Sequence, residues 1–178
     1  MLPRVIDRNL YLKDPFEYRR ALSLALNHLR EVSGYYPEFE QWLAERVVPG
    51  LILGERSILL SESRGVLSGL AVVKDTPAEQ KLCCLRVLPP FQGSGVGLKL
   101  FDRAFDVLEN RTPLLSVAEE QIAVFDKIFR YYGFELAATY PEFYRPTKNE
   151  YSFNGLLVGP DSRLGPNSTR GSLLIPEV

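Results

Sequence analysis

Three glycines alternate in the stretch Gln92-Gly93-Ser94-Gly95-Val96-Gly97. They stand directly before Val96, Leu100, Phe101, Ala104, Phe105 and Leu108, an apolar spacing that predicts a helix. A glycine loop opening a helix can turn tightly and aim several backbone N–H groups at an anion, held at the positive end of the helix dipole. A phosphate or pyrophosphate is the natural guest; the alternative is a turn that needs glycine only for close packing of helix on sheet. Spacing removes two phosphate motifs. A dinucleotide fingerprint counted from Gly93 needs glycine where Leu98 stands, and a P-loop needs Gly-Lys-Ser/Thr where the chain reads Leu98-Lys99-Leu100. What is left is Gln-x-x-Gly-x-Gly, preceded by Val87-x-Pro89.

Other chemistries find little support. Cys83 and Cys84 are adjacent, and neighbours on a strand point to opposite faces, so they are poorly placed to bridge or to share a metal. With His28 as the single histidine, a zinc site and a Ser-His-Asp or Cys-His arrangement are both disfavoured, and no metal is expected.

The 178 residues are 46% hydrophobic, enough for one domain with a substantial core. Lys and Arg number 21 against 22 Asp and Glu, a formal charge of -1, which argues against a dedicated nucleic-acid binder. No apolar run has the length to span a bilayer, and Met1 to Leu12 lacks the apolar core of a signal peptide. The expectation is a soluble cytoplasmic protein with reduced thiols.

The positioning elements follow from periodicity. Asp14-Pro15-Phe16-Glu17 opens a helix with a cap, an N1 proline and a capping-box glutamate; Phe16, Ala21, Leu22, Ala25, Leu26 and Leu29 form its stripe, and Ser33-Gly34 is its stop. A second helix is expected from Pro37 to Val47, ending at Pro49-Gly50. Strands follow at Ser57–Ser61, Val66–Lys74 and Lys81–Val87, the first two joined by a hairpin at Glu62-Ser63-Arg64-Gly65. After the glycine loop and its helix come a strand at Leu114–Val117, a helix from Glu119 to Tyr132 stopped by Gly133, and strands at Phe134–Thr139 and Tyr151–Val158. Residues 159–178, rich in Gly, Pro, Ser and Asn, read as an extended or partly disordered C-terminal extension to a domain spanning 1–158. This order predicts an α+β fold with a mixed sheet and helices on both faces.

The stretch Leu85-Arg86-Val87-Leu88-Pro89-Pro90-Phe91-Gln92-Gly93-Ser94-Gly95-Val96-Gly97 resembles the acetyl-CoA motif of the GNAT superfamily of acyl-CoA-dependent N-acetyltransferases, and Tyr132-Gly133-Phe134-Glu135 is similar to that family's helix-ending Gly-Phe-Glu. The resemblance covers about Asp14 to Val158. It implies a mostly antiparallel sheet of six to seven strands and an acetyl-CoA donor. It further implies that the backbone of Gln92, Gly93, Ser94, Gly95, Val96, Gly97 and Leu98 holds the pyrophosphate. Pantetheine would lie in a splay beside Leu85, Arg86 and Val87, where a strand N–H can stabilise a developing oxyanion. A homodimer is compatible with it.

Acid and base are harder to carry over. The usual helix tyrosine position is Phe129 here, and carboxylate positions on the fourth and fifth strands fall at Lys81 and Ser116. Tyr132, Tyr131 and Glu120 are the candidates that remain, although two acids at the start of a helix, Glu119 and Glu120, are well explained by its dipole. The expected chemistry is therefore direct attack governed by positioning, with the proton passing to water. The acceptor is expected between Val32–Tyr36 and Thr139–Glu150, where Tyr35, Tyr36, Tyr144 and Arg145 would suit a primary amine on a small molecule or a peptide. The competing expectation is a catalytically weak domain that binds acyl-CoA and acts through a protein partner; transfer to charged tRNA is disfavoured by the neutral charge.

Overall fold

A computed structural model describes residues 2–31, 36, 38–157 and 173–174 of the chain. Strand β1 (Val5–Ile6) leads into helix α1 (Arg8–Lys13), capped by the Asp7 carboxylate on the Leu10 N–H at 2.8 Å. Neither was expected from the sequence, where their short lengths left no periodicity to read. Helix α2 (Pro15–Arg30) starts as its residues dictate, with the Asp14 side chain accepting from the Glu17 N–H at 3.0 Å. Its buried stripe is Tyr18, Ala21, Ala25 and Leu29, and Phe16 points to solvent instead. The stop at Ser33-Gly34 lies outside the described residues.

The second helical run is longer than expected. It comprises α3 (Phe39–Trp42), a π-helical turn (Leu43–Val47) and α4 (Val48–Leu53), and passes through Pro49-Gly50 before Gly54 ends it at φ 79°. Proline is tolerated because it falls in the first turn of α4, beyond the π turn. Gly50 is a packing residue rather than a stop: a Cβ there would meet Arg56 Cδ at 2.8 Å.

Strands β2 (Arg56–Ser63), β3 (Val66–Thr76) and β4 (Glu79–Val87) form an antiparallel meander, with β1 on the outer edge of β2. The pairing of Val72 with Cys84 and of Val73 with Leu82 leaves Cys83 as an extra residue on β4. This bulge turns Cys83 and Cys84 into the same core cluster and sends Leu85 to the opposite one, correcting the simple alternation that set the two cysteines on opposite faces.

A 3-10 turn (Pro89–Phe91) and the glycine loop lead into α5 (Val96–Leu108). Strand β5 (Leu115–Ala118), a 3-10 turn (Glu119–Gln121), α6 (Ile122–Tyr132), β6 (Leu136–Pro141) and β7 (Asn149–Phe153) complete the core, and β8 (Leu173–Leu174) follows. The second sheet has the order β5-β7-β6. Among the described residues its pairing with the first sheet is at Leu114 and Lys81, a parallel bridge with Leu82 N–H to Leu114 O and Leu114 N–H to Gln80 O both at 3.0 Å. Beyond this bridge β4 and β5 pair no further, a splay in which β4 pairs instead with β8.

Helices α2 to α4 pack one face of the first sheet around Leu29, Phe39, Leu51 and Leu70. On the other face α5 and α6 bury Phe101, Phe105, Phe125 and Phe129 against both sheets. The fold is thus α+β, mostly antiparallel, with helices on both sides. No helix among the described residues is long and apolar enough to cross a membrane.

Candidate active site

The glycine loop follows the end of β4, whose outer edge pairs with β8 at Cys84 and Leu85. Gly93 and Gly95 adopt φ of 69° and 80°, the left-handed region, and no atom lies within 4 Å of where their Cβ atoms would be. Backbone conformation, not crowding, selects glycine at both. Gly95 is the N-cap of α5 and no side chain caps the helix. The first-turn amides of Val96, Gly97 and Leu98 have no intrahelical acceptor in such a position, so they present a row of donors to an anion. The Ser94 hydroxyl donates to the Phe91 carbonyl, which rigidifies the loop. Gly69 allows α5 to reach the sheet: a Cβ there would lie 2.8 Å from the Arg86 carbonyl oxygen and 2.9 Å from Val96 Cγ1.

Along β4, Leu85, Arg86 and Val87 are buried, and their outward backbone edge faces the splay. The Arg86 side chain is committed elsewhere, donating to the His28 carbonyl and, at 2.7 Å, to Glu31. It ties the end of α2 to the strand, and the guanidinium holds the Glu31 carboxyl below its usual range.

A polar cluster gathers on β5 and β7 and at the junction of the sheets. Glu150 on β7 is 3% exposed and accepts a 2.7 Å hydrogen bond from Ser116 Oγ on β5. Burial raises its pKa to about 7, opposed by the Ser116 hydrogen bond and by the charges of Lys81 and Arg145. Lys81, 2% exposed at the junction of the sheets, is in turn pushed down by burial. Arg56 lies opposite Lys74, and Lys74 opposite Lys81, so three cations cross the sheet in one row. The Arg56 guanidinium donates to Cys83 Sγ at 3.2 Å and lies 5.8 Å from the Trp42 ring.

Aromatic groups close the cluster. The rings of Tyr36 and Tyr144 meet edge to face at 6.2 Å, and Arg145 lies over Tyr36 at 5.8 Å. The Tyr144 hydroxyl is buried beside the Ser116 hydroxyl, and Ser152 Oγ is buried with no hydrogen-bond partner among the described residues. Burial raises both tyrosine pKa values, with the nearby Glu150 carboxyl adding to the effect.

The structure thus brings Tyr36, Tyr144 and Arg145 together; Tyr35 lies outside the described residues. Glu120 is bound to Arg145 at 2.5 Å, and Glu119 accepts from Lys148 Nζ and the Asn149 N–H, each at 3.1 Å. These acids anchor the β6–β7 connection. Tyr132 donates to Asp102 at 2.9 Å and packs on Phe101, Phe105 and Phe134, on the sheet face away from Glu150. Tyr131 is 77% exposed, and Phe129 is enclosed by Phe125, Phe134 and Phe153.

Glu150 is the residue that sequence reasoning missed. The last core strand was expected at Tyr151–Val158 but occupies Asn149–Phe153, so Glu150 fell in the loop. The available signal was Glu150 and Ser152 at strand spacing, opposite the apolar pair Tyr151 and Phe153. Among the described residues no group of three or more His, Cys, Asp or Glu could hold a metal ion.

No protein-family model matches the chain, and no curated protein does. Solved structures do. A protein from Desulfovibrio desulfuricans assigned to the GNAT acetyltransferase family superimposes with a TM-score of 0.58, at 18% identity over 73% of this chain and 89% of its own. A Bacillus subtilis acetyltransferase solved with CoA gives 0.56 at 14% identity, over 73% of this chain and 93% of that one. An aminoglycoside 6'-N-acetyltransferase solved with coenzyme A gives 0.50 at 12% identity, over 62% and 78%. At these identities the likeness is one of architecture, and it coincides with the splayed parallel pair and the glycine turn at the head of α5: the chain has the fold of the GNAT superfamily.

Proposed function

We propose that the protein transfers the acetyl group of acetyl-CoA to a primary amine of a small molecule or peptide, by direct attack in a ternary complex. The observation that carries this reading is a buried carboxyl, Glu150, hydrogen-bonded to Ser116 on β5 and within electrostatic reach of Lys81 where β5 meets β4, in a fold that leaves the amides of Val96 to Leu98 uncapped after β4. The CoA pyrophosphate would rest on the glycine loop and its pantetheine along Leu85 to Val87. Both uses need main-chain donors, which explains why few polar side chains mark the donor half.

An amine must lose a proton to become nucleophilic, and a carboxylate ionising near 7 suits that task at neutral pH. In the reaction the neutral nitrogen attacks the thioester carbon, the C–N bond forms, and the C–S bond breaks. The nitrogen's proton passes to the Glu150 carboxylate, and the departing sulfur takes a proton from water, to which Glu150 then releases its own, giving the amide and the CoA thiol. Lys81 and Arg145 limit how far burial can raise Glu150, and Tyr36 and Tyr144 supply an apolar wall for the acceptor. Glu150 takes the place of the strand carboxylates replaced by Lys81 and Ser116, whose absence favoured a catalytically weak domain.

The test is calorimetric titration with acetyl-CoA and thiol release over a panel of amines, for wild type and Glu150→Gln. Binding by both, with turnover in the variant reduced about a hundredfold or more, is expected. Failure of the wild type to bind acetyl-CoA would overturn the reading.

A further inference from the structure

The splay already contains a strand. β8 runs parallel to β4, with Leu173 opposite Cys84 and Leu174 opposite Leu85, and it also contacts β5 on its other side. It therefore sits in the gap where the sheet has come apart. A strand edge offers one row of N–H and C=O groups, and that row can be satisfied by one partner at a time. Leu85 belongs both to the β8 ladder and to the segment that the proposed acetyl-CoA site would use.

We infer that Leu173–Leu174 and the pantetheine arm of an acyl-CoA compete for the β4 edge, so that the chain closes its own donor site and the donor must displace it. This rests on the acetyl-CoA reading above. Three features suit a displaceable occupant. The β4–β8 ladder has two paired positions against eight between β3 and β4, so its hold is weak. The residues Leu173-Leu174-Ile175 form a short apolar run between Gly171-Ser172 and Pro176, and proline has no N–H with which to extend a ladder. Finally, fifteen residues separate Leu157 from Leu173, a span of up to about 50 Å if extended, long enough for release without a change in the core.

The test uses the full chain carrying Leu173→Pro and Leu174→Pro together, which removes both N–H donors of β8 whichever of them faces β4. By calorimetry the apparent dissociation constant for acetyl-CoA should fall about tenfold in the variant, because a larger fraction of molecules has the slot open. Equal, measurable affinity in the two proteins would overturn the competition while leaving the acetyl-CoA reading intact. Absence of acetyl-CoA binding in both would end that reading and the competition with it. A second measurement needs no variant: hydrogen exchange of wild-type amides at 173–174 should accelerate when acetyl-CoA saturates the protein. Unchanged or increased protection there would show that β8 and the donor occupy the cleft together, and would overturn the proposal.

Discussion

A carboxyl group that is 3% exposed and ionises near 7 ties activity and stability to the same proton. In the unfolded chain Glu150 ionises near its ordinary 4.5, whereas the folded protein keeps it protonated up to about 7. The proton therefore favours folding fully below about pH 4.5, and this contribution is lost as pH rises through 7. At 1.4 kcal/mol per unit the loss amounts to about 3 kcal/mol. Glu150→Gln lacks the titration, so its stability relative to wild type should climb by that amount between pH 4.5 and 8, read from denaturant midpoints. Parallel curves would mean that Glu150 ionises as an ordinary carboxylate. Activity should run the other way, with wild-type kcat/KM rising through pH 7 as the base form appears and the variant showing no such limb. At the donor end, Gly95→Ala meets open space but must hold φ 80°, so it should cost about 1 kcal/mol of stability. Acetyl-CoA affinity should fall as well if the loop turns its amides away, which calorimetry on the same variant would read.

Between residues and whole molecule stand the contacts that fix where each element lies. Gly69 on β3 is the place where α5 comes closest to the sheet. Its missing Cβ would meet a backbone oxygen at 2.8 Å and two side chains of α5 at 2.9 and 3.0 Å. Gly69→Ala should thus push the helix, and the loop at its head, off the sheet. The expected cost is about 1–3 kcal/mol by thermal unfolding, together with weaker acetyl-CoA binding. A variant as stable as wild type would show that the helix has room to shift. Nothing in the sequence around Gly69 announces this, since a strand glycine reads the same whether it lies beneath a helix or beneath water. The helix at Val96 to Leu108 was legible because six apolar positions repeat on one face, and the glycine loop because its alternation is rare and local. Glu150 was not legible as a site residue, because its meaning depends on Ser116 from another strand and on a boundary two residues earlier than the apolar run suggests. The bulge at Cys83 was hidden for a similar reason: it exists only in the pairing with β3. Local periodicity therefore places the helices and most strands, and the acceptor half of the site appears only when strands distant in sequence are laid side by side.

On the scale of the molecule, the splay is a break in the direct pairing of β4 with β5, occupied by the short β8, that the packing beneath must hold apart. The core around α5 and α6 does this by drawing on both sheets, with Leu59, Val73 and Leu85 from the first and Leu115, Val117 and Phe153 from the second. The same β3 strand faces the other core through Leu70 and Val72, so each cluster supports the reverse side of a strand that the other also needs. Loss of one should then undo both, and the chain should unfold in a single transition despite its divided sheet. The single tryptophan, Trp42, provides the means to see this, because it lies in the cluster of α2 to α4, away from α5 and α6. Phe101 is fully buried in the opposite cluster, and Phe101→Ala should cost about 3–5 kcal/mol. Because the strands are shared, Trp42 fluorescence and far-UV circular dichroism should both shift by the same amount in denaturant. A Trp42 transition left at its wild-type midpoint, with the dichroism signal split in two, would instead mean that the sheets unfold independently. In that case the cleft between them would be a junction of two units rather than an opening cut into one.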